Sequence, residues 1–218
     1  RRVLFRSAMS EAVDARSPGI TYQELLDTDS HAVPDVLRLE SPAPRRHNDL
    51  SIDRYISRDF HDLEMEKLWP RVWQFACREE HIPNPGDYVV YEVGRHSYVV
   101  IRSHEGSIKC FVNACLHRGR MLKHYDGNCT ELRCPFHGFA WETDGRLKDI
   151  PASWDFPQIV ASEFSLPEAK VATWAGFVFI NPDPDAGPFE EFLGDMAAHF
   201  ERWNLADRSE EHTSELQS

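Results

Sequence analysis

Cys115-Leu116-His117-Arg118-Gly119-Arg120 and Cys134-Pro135-Phe136-His137-Gly138, with sixteen residues between His117 and Cys134, decide how this chain is read. Each stretch supplies one thiolate and one imidazole. Two Cys on one iron and two His on the other is a ligand set for a two-iron, two-sulfide (2Fe–2S) cluster. Thiolates offset the charge of ferric iron. Replacing two of them with neutral imidazoles makes that iron easier to reduce. The short gaps, one residue and then two, let each Cys and His project from the same small hairpin. Gly119 and Gly138 each fall just past a His, where a tight turn needs a permissive backbone. The competing reading is zinc. Structural zinc sites usually pair Cys with Cys in one loop and His with His in another, whereas here each loop mixes the two.

Outward from the motif the chain reads as mainly β with flanking helices. Tyr88–Val93, Ser97–Ile101 and Ile108–Val112 are β-rich runs, separated by Gly94-Arg95 and Glu105-Gly106. They form an antiparallel meander that enters the first ligand loop. After the second loop, Phe139–Glu142 and Leu147-Lys148 predict a hairpin turning at Asp144-Gly145. Lys170–Thr173 and Phe177–Asn181 predict another strand pair, broken at Gly176. Upstream, Asp59–Trp69 has helical apolar spacing and stops at Pro70, with Phe60, Leu63, Leu68 and Trp69 expected in the core. Downstream, Pro188–Trp203 predicts one helix with Phe189, Phe192, Leu193, Met196 and Phe200 on one face. Residues 10–50, rich in Pro, Ser, Asp and Arg, are expected to be an extended arm.

Composition excludes several classes. Hydrophobic residues make up 41% of the chain, and the net charge is −12 with a pI near 5.3, which argues against a nucleic-acid surface. The longest apolar stretch, Val171–Ile180, is too short to span a bilayer and reads as buried strand. Five cysteines are an odd number without a disulfide framework. Cys77 and Cys110 are expected to be reduced core residues, which fits a cytoplasmic protein. Cys129 has no obvious partner. His124 reads as part of a surface turn.

The two ends are expected to be foreign. RRVLFRS (residues 1–7) can be encoded by AGA CGT GTG CTC TTC CGA TCT. The reverse complement of that DNA translates as RSEEHTS, which is residues 208–214. Two strands of one short DNA at both ends are the mark of a sequencing adapter. Residues 1–7 and 208–218 are therefore set apart. Met9 is the expected start, and the parent protein is expected to continue beyond Asp207.

With Cys115–Arg120 and Cys134–Trp141 followed by Asp144-Gly145-Arg146-Leu147, the chain resembles the N-terminal Rieske domain of ring-hydroxylating non-haem iron oxygenase α subunits. The likeness runs from about Leu50 to Asp207. It implies an antiparallel β domain holding a 2Fe–2S cluster on Cys115, His117, Cys134 and His137. It implies an extended arm over residues 8–49, the cluster domain over 50–185, and the start of a truncated α+β catalytic domain over 186–207. It further implies electron supply by a ferredoxin or flavin reductase, and a homotrimer or α3β3 assembly. A mononuclear Fe(II), held by two His and one carboxylate, would activate dioxygen on an aromatic or apolar substrate. That triad is expected beyond Asp207, because after His137 the only His before the foreign end is His199. No catalytic residue is expected within this stretch.

Two positions separate subtypes. Respiratory Rieske proteins carry an extra, disulfide-bonded Cys in each loop, where this chain has Arg120 and Phe136. They also carry Ser and Tyr where this chain has Phe139 and Trp141, so the cluster sulfurs would receive fewer hydrogen bonds. The resemblance thus implies a potential near the low end of the Rieske range. Arg118 and Arg120 would either guide an acidic ferredoxin, contact a neighbouring subunit or be solvated loop cations. A stand-alone Rieske ferredoxin is the alternative, and the length of chain before Cys115 argues against it.

Overall fold

The computed structural model describes residues 21–39 and 51–208. The chain divides into two units, residues 1–45 and residues 46–218.

In the first unit, α1 (Tyr22–Asp27) begins at Thr21. The Thr21 hydroxyl accepts from the Glu24 N–H, and the Glu24 carboxylate accepts from the Thr21 N–H at 2.7 Å. This reciprocal cap satisfies two of the free donors at a helix start. Within the stretch expected to be an extended arm, local capping chemistry thus holds a helical turn. Residues 8–20 and 40–49 of that arm lie outside the described residues, as do residues 1–7 and 209–218.

The second unit starts with α2 (Asp53–Ile56) and α3 (Arg58–Lys67), the latter capped by the Ser57 hydroxyl on the Phe60 N–H. A 3-10 turn over Trp69–Arg71 ends the helical run at Pro70. Met65 is the buried residue of α3, lying against Gly94. Leu63 and Leu68 are 48% and 42% exposed, so their expected place in the core is wrong. Helical spacing marks an apolar stripe, but the stripe that docks here is centred on Met65.

Strand β1 (Gln74–Arg78) was not expected from the sequence. It is followed by β2 (Asp87–Val93), β3 (His96–Arg102) and β4 (Ile108–Val112), the meander read from the alternation. Short strands β5 (Gly127–Asn128), β6 (Leu132–Arg133), β7 (Ala140–Trp141) and β8 (Leu147–Asp149) surround the second ligand loop. β9 (Glu168–Trp174) and β10 (Phe177–Asn181) complete the set. All pairings are antiparallel. A seven-stranded sheet runs β1-β10-β9-β4-β3-β2-β5, and a three-stranded sheet runs β6-β7-β8. Ala175 and Gly176, at φ 50° and 82°, form the two-residue β9–β10 turn. Positive φ at both central positions suits the right-handed twist of the strands.

β3 explains how one strand serves two cores. Successive side chains point to opposite faces. Val99 and Ile101 join Phe111, Leu132, Phe139, Trp141, Leu166, Cys115 and Cys134 in one cluster. Tyr98 and Val100 join Cys77, Ile82, Cys110, Val178 and Ile180 in the other. The ligand loops therefore root in one of the two cores.

The expected helix over Pro188–Trp203 is broken. α4 (Phe189–Leu193) ends at Gly194, whose φ 51° and ψ −134° are not helical, and α5 (Met196–Phe200) follows. A 3-10 turn over Glu201–Trp203 comes next. Phe189 is buried against Trp73 and Phe179, with ring centroids 5.2 Å and 4.7 Å away. Phe192 and Met196 face solvent. The break at Gly194 turns the apolar residues in different directions and dissolves the predicted single face.

Candidate metal centre

The two ligand loops are built on one backbone plan. In each, the Cys N–H donates to the carbonyl five residues on: Cys115 to Arg120 and Cys134 to Phe139, both at 2.8 Å. In each, the glycine four residues on donates back to the Cys carbonyl: Gly119 to Cys115 at 2.8 Å and Gly138 to Cys134 at 3.1 Å. Gly119 and Gly138 have φ 69° and 80°, the left-handed conformation that a side chain disfavours. Sequence reading anticipated permissive glycines, but not that both loops close the same ring. The His occupies the third position of one ring and the fourth of the other.

Packing the rings together rearranges the donors. Cys115 and Cys134 are both buried, and their side chains lie within hydrogen-bonding reach of each other. Burial pushes the Cys115 thiol up. The backbone N–H groups of His117 and, less strongly, Arg118 pull the other way, while the Cys134 thiol raises it further. Such N–H donors favour a thiolate there. The two imidazoles also meet, with ring centroids 4.8 Å apart at 66°. The donors are thus sorted thiol with thiol and imidazole with imidazole. Among the described residues, no three His, Cys, Asp or Glu side chains converge on a point that could hold one metal ion. A single tetrahedral zinc needs all four donors around one point. A two-iron cluster needs two per iron.

One atom tests the fit of such a group. His117 Nδ1 is buried and makes no hydrogen bond. A buried, unpaired ring nitrogen costs free energy unless something binds it. His96 Nε2, at the start of β3, is the other such atom among the described residues, and it lies outside both loops. Desolvation holds the His117 imidazole below its ordinary pKa, and the neighbouring His137 and Arg118 add to this. The neutral, metal-binding form is therefore favoured. Phe139 stacks on the His117 ring at 4.8 Å and 7°, and Phe156 meets it edge-on at 5.7 Å. Trp141, fully buried, donates Nε1–H to the Phe164 carbonyl at 2.9 Å. Its donor is spent away from the loops.

His137 and Phe136 are exposed, so the His137 edge of the centre meets solvent while the sulfur side is covered. Beside His117 lies a hollow of ≈ 370 Å³ lined by Leu116, Phe156, Ile159, Val160 and Phe164. Arg118 and Arg120 are exposed, and Arg120 Nη2 lies 3.3 Å from His124 Nε2 in the surface turn. Cys77, Cys110 and Cys129 are free thiols outside the loops. Burial pushes Cys77 up to about 12 and Cys110 higher still, so both stay protonated and inert.

Two supports were not singled out from the sequence. Asn113, two residues before Cys115, is 3% exposed. Its Oδ1 accepts from the Leu122 and Lys123 N–H groups at 3.1 and 2.9 Å, and its Nδ2 donates to Ser97 Oγ and the Lys123 carbonyl at 3.0 and 2.7 Å. It ties both ends of the first loop together. A polar residue ending the apolar run Cys110-Phe111-Val112 was the available signal. Arg133, immediately before Cys134, donates Nη1–H to the Gly138 carbonyl at 2.7 Å. No local sequence signal distinguishes it from the other arginines.

This fold is that of a known family. Residues 72–162 match the family model described as the Rieske 2Fe-2S domain. The chain is 36% identical over 146 residues to the anthranilate 1,2-dioxygenase large subunit of Acinetobacter baylyi, across 66% of this chain and 31% of that protein. It is 35% identical over 164 residues to the chlorobenzene dioxygenase subunit alpha of a Cupriavidus species, across 74% of this chain and 36% of that one. The crystal structure of the quaternary ammonium Rieske monooxygenase CntA superposes with a TM-score of 0.67 at 26% identity, covering 71% of this chain and 46% of that one. The chain carries a Rieske 2Fe–2S domain of the kind found in ring-hydroxylating oxygenase α subunits. It spans about a third of the length of the curated relatives it matches. No helix among the described residues is long and apolar enough to cross a membrane.

Proposed function

We propose that Cys115 and Cys134 bind one iron, and His117 and His137 the other, of a 2Fe–2S cluster that carries single electrons within an oxygenase α subunit. The observation that carries this is the sorting of four donors into a thiol pair and an imidazole pair across two matched loops. When bound, the cluster supplies reversible one-electron transfer. The residues around it divide the work. Cys115 and Cys134 keep the sulfur side dry. Phe139 and Phe156 fix the His117 ring, and the exposed His137 offers a path to an electron partner.

The parent protein is then an oxygenase acting on an aromatic or apolar organic substrate with dioxygen. Relatives named as benzene, biphenyl and anthranilate dioxygenase subunits support this class. On this reading residues 50–185 are the electron-carrying domain, and 186–207 open a catalytic domain that would hold the mononuclear iron beyond Asp207. A ferredoxin or flavin reductase would be the donor, and a homotrimer or α3β3 the assembly. Five free cysteines fit a cytoplasmic site.

The test is direct. The chain is loaded with iron and sulfide, reduced with dithionite and examined by electron paramagnetic resonance. Two irons and two sulfides per chain, with a mixed-ligand 2Fe–2S spectrum, are expected. Stoichiometric zinc with no such signal would sink the assignment. Residues 8–207 supplied with reductase, iron and dioxygen should form no product, since the oxygen-activating site lies elsewhere on this reading.

A further inference from the structure

The two loops share a backbone plan but differ in what holds them from outside. Gly119 has open space around it, with nothing within 4 Å of where a Cβ would stand. Gly138 is pinned on both sides. Its N–H donates to the Cys134 carbonyl, its carbonyl accepts from Arg133 Nη1 at 2.7 Å, and a Cβ there would stand 3.0 Å from Pro151 Cγ. Arg133 is itself fixed. Its Nε donates to Glu131 at 2.5 Å, and Nη1 lies 3.4 Å from Asp149. Lys148 bridges Glu131 and Glu142, both at 3.3 Å, and ties the cluster across β6, β7 and β8.

We propose that Arg133 is a positioning residue for the second ligand loop: anchored by Glu131 and Asp149, it clamps the Gly138 carbonyl and thereby sets the placement of His137. This rests on the ligand assignment above. Surface ion pairs on a hairpin usually contribute little, and the Arg133 side chain is 42% exposed. The bond to Gly138 is of another kind. It joins a guanidinium to a backbone carbonyl inside the ligand ring, next to the one ligand histidine that faces solvent. Only a forked donor reaches Glu131 and Gly138 together. The sheet β6-β7-β8 thus acts through this residue on the more exposed half of the centre.

Outer partners of metal ligands typically change metal affinity by ~10–100-fold. Arg133 is one step further out and part-exposed, so a smaller effect of about five-fold is expected from the same argument. In the cluster-loaded chain, Arg133→Gln should release iron to a ferrous chelator about five-fold faster than wild type and alter the anisotropy of the reduced-state resonance spectrum. Arg133→Lys, with one donor head, should fall between. Asp149→Asn, which loosens the anchor without touching the loop, should shift both readouts the same way by less. Arg146→Gln, which breaks the Arg146–Asp144 pair at the hairpin turn, should leave both unchanged. Release within two-fold of wild type and an unchanged spectrum for Arg133→Gln would overturn the proposal, and so would an equal effect of Arg146→Gln. If Arg133→Gln takes up no cluster, Asp149→Asn decides: faster release supports the clamp, and the wild-type rate refutes it. A wild-type chain that forms no 2Fe–2S cluster would instead remove the ligand assignment itself, before any variant is compared.

Discussion

At the residue scale, Phe139 and Trp141 shape the electronics of the centre by what they withhold. Phe139 lies flat on the His117 ring and brings no donor, and the Trp141 indole N–H is bound to the Phe164 carbonyl. Hydrogen bonds to the sulfurs stabilise the reduced, more negative cluster. With neither of these side chains supplying one, the predicted potential is low, at about −150 mV, the bottom of the Rieske range. Potentiometric titration of the loaded chain checks this, and a strongly positive midpoint would contradict it. These two positions were legible in the sequence as residue types. Where the Trp141 N–H goes was not, because its acceptor is 23 residues away.

At the element scale, the loops are set by short-range rules and supported by long-range ones. The glycines carry the first part. Alanine at Gly119 meets open space and bears only the left-handed backbone cost, about 1 kcal/mol. Alanine at Gly138 bears that cost and crowds Pro151 as well, for about 2–3 kcal/mol. Urea denaturation of the apoprotein should rank the two variants in that order, and equal losses would refute the asymmetry. The meander β2–β4 and the turns at Asp144-Gly145 and Gly176 were readable because alternation and turn residues are local signals. β1 was missed because its pairing with β10 joins residues about a hundred positions apart. The helix over Pro188–Trp203 was over-read for the converse reason: apolar spacing continued through Gly194, but the backbone there left the helix.

At the scale of the whole molecule, acid should unfold the apoprotein in two stages. His117 is held below its ordinary value of about 6.5. The unfolded chain therefore binds a proton there that the folded chain resists. That contribution is intact above about pH 6.5 and is lost as pH falls below it. Glu131, lowered by its hydrogen bond from Arg133, and Asp87, lowered by Asn128, act later. Their contributions are present above the ordinary carboxylate range, near pH 4, and vanish as pH drops through their depressed folded values. Denaturation midpoints measured from pH 8 to pH 3 should decline first as pH falls below about 6.5, and His117→Asn should remove that first step. An unchanged first step in the variant would assign it to another group.

Sequence alone determined which atoms could bind metal, their spacing, the tight turns that present them and the alternating strands that lead to them. All of these depend on neighbours a few residues apart. It did not determine which donors meet. Along the chain each Cys is next to a His, and nothing local opposes a mixed set around one metal. Only when the rings of Cys115 and Cys134 pack against each other, over a core supplied by β3, β4 and β7, do the thiols turn inward together, with the imidazoles paired beside them and His137 facing outward. That exchange of partners is a property of two loops in contact, because burial rewards the apolar sulfur side and leaves the polar His137 edge to water.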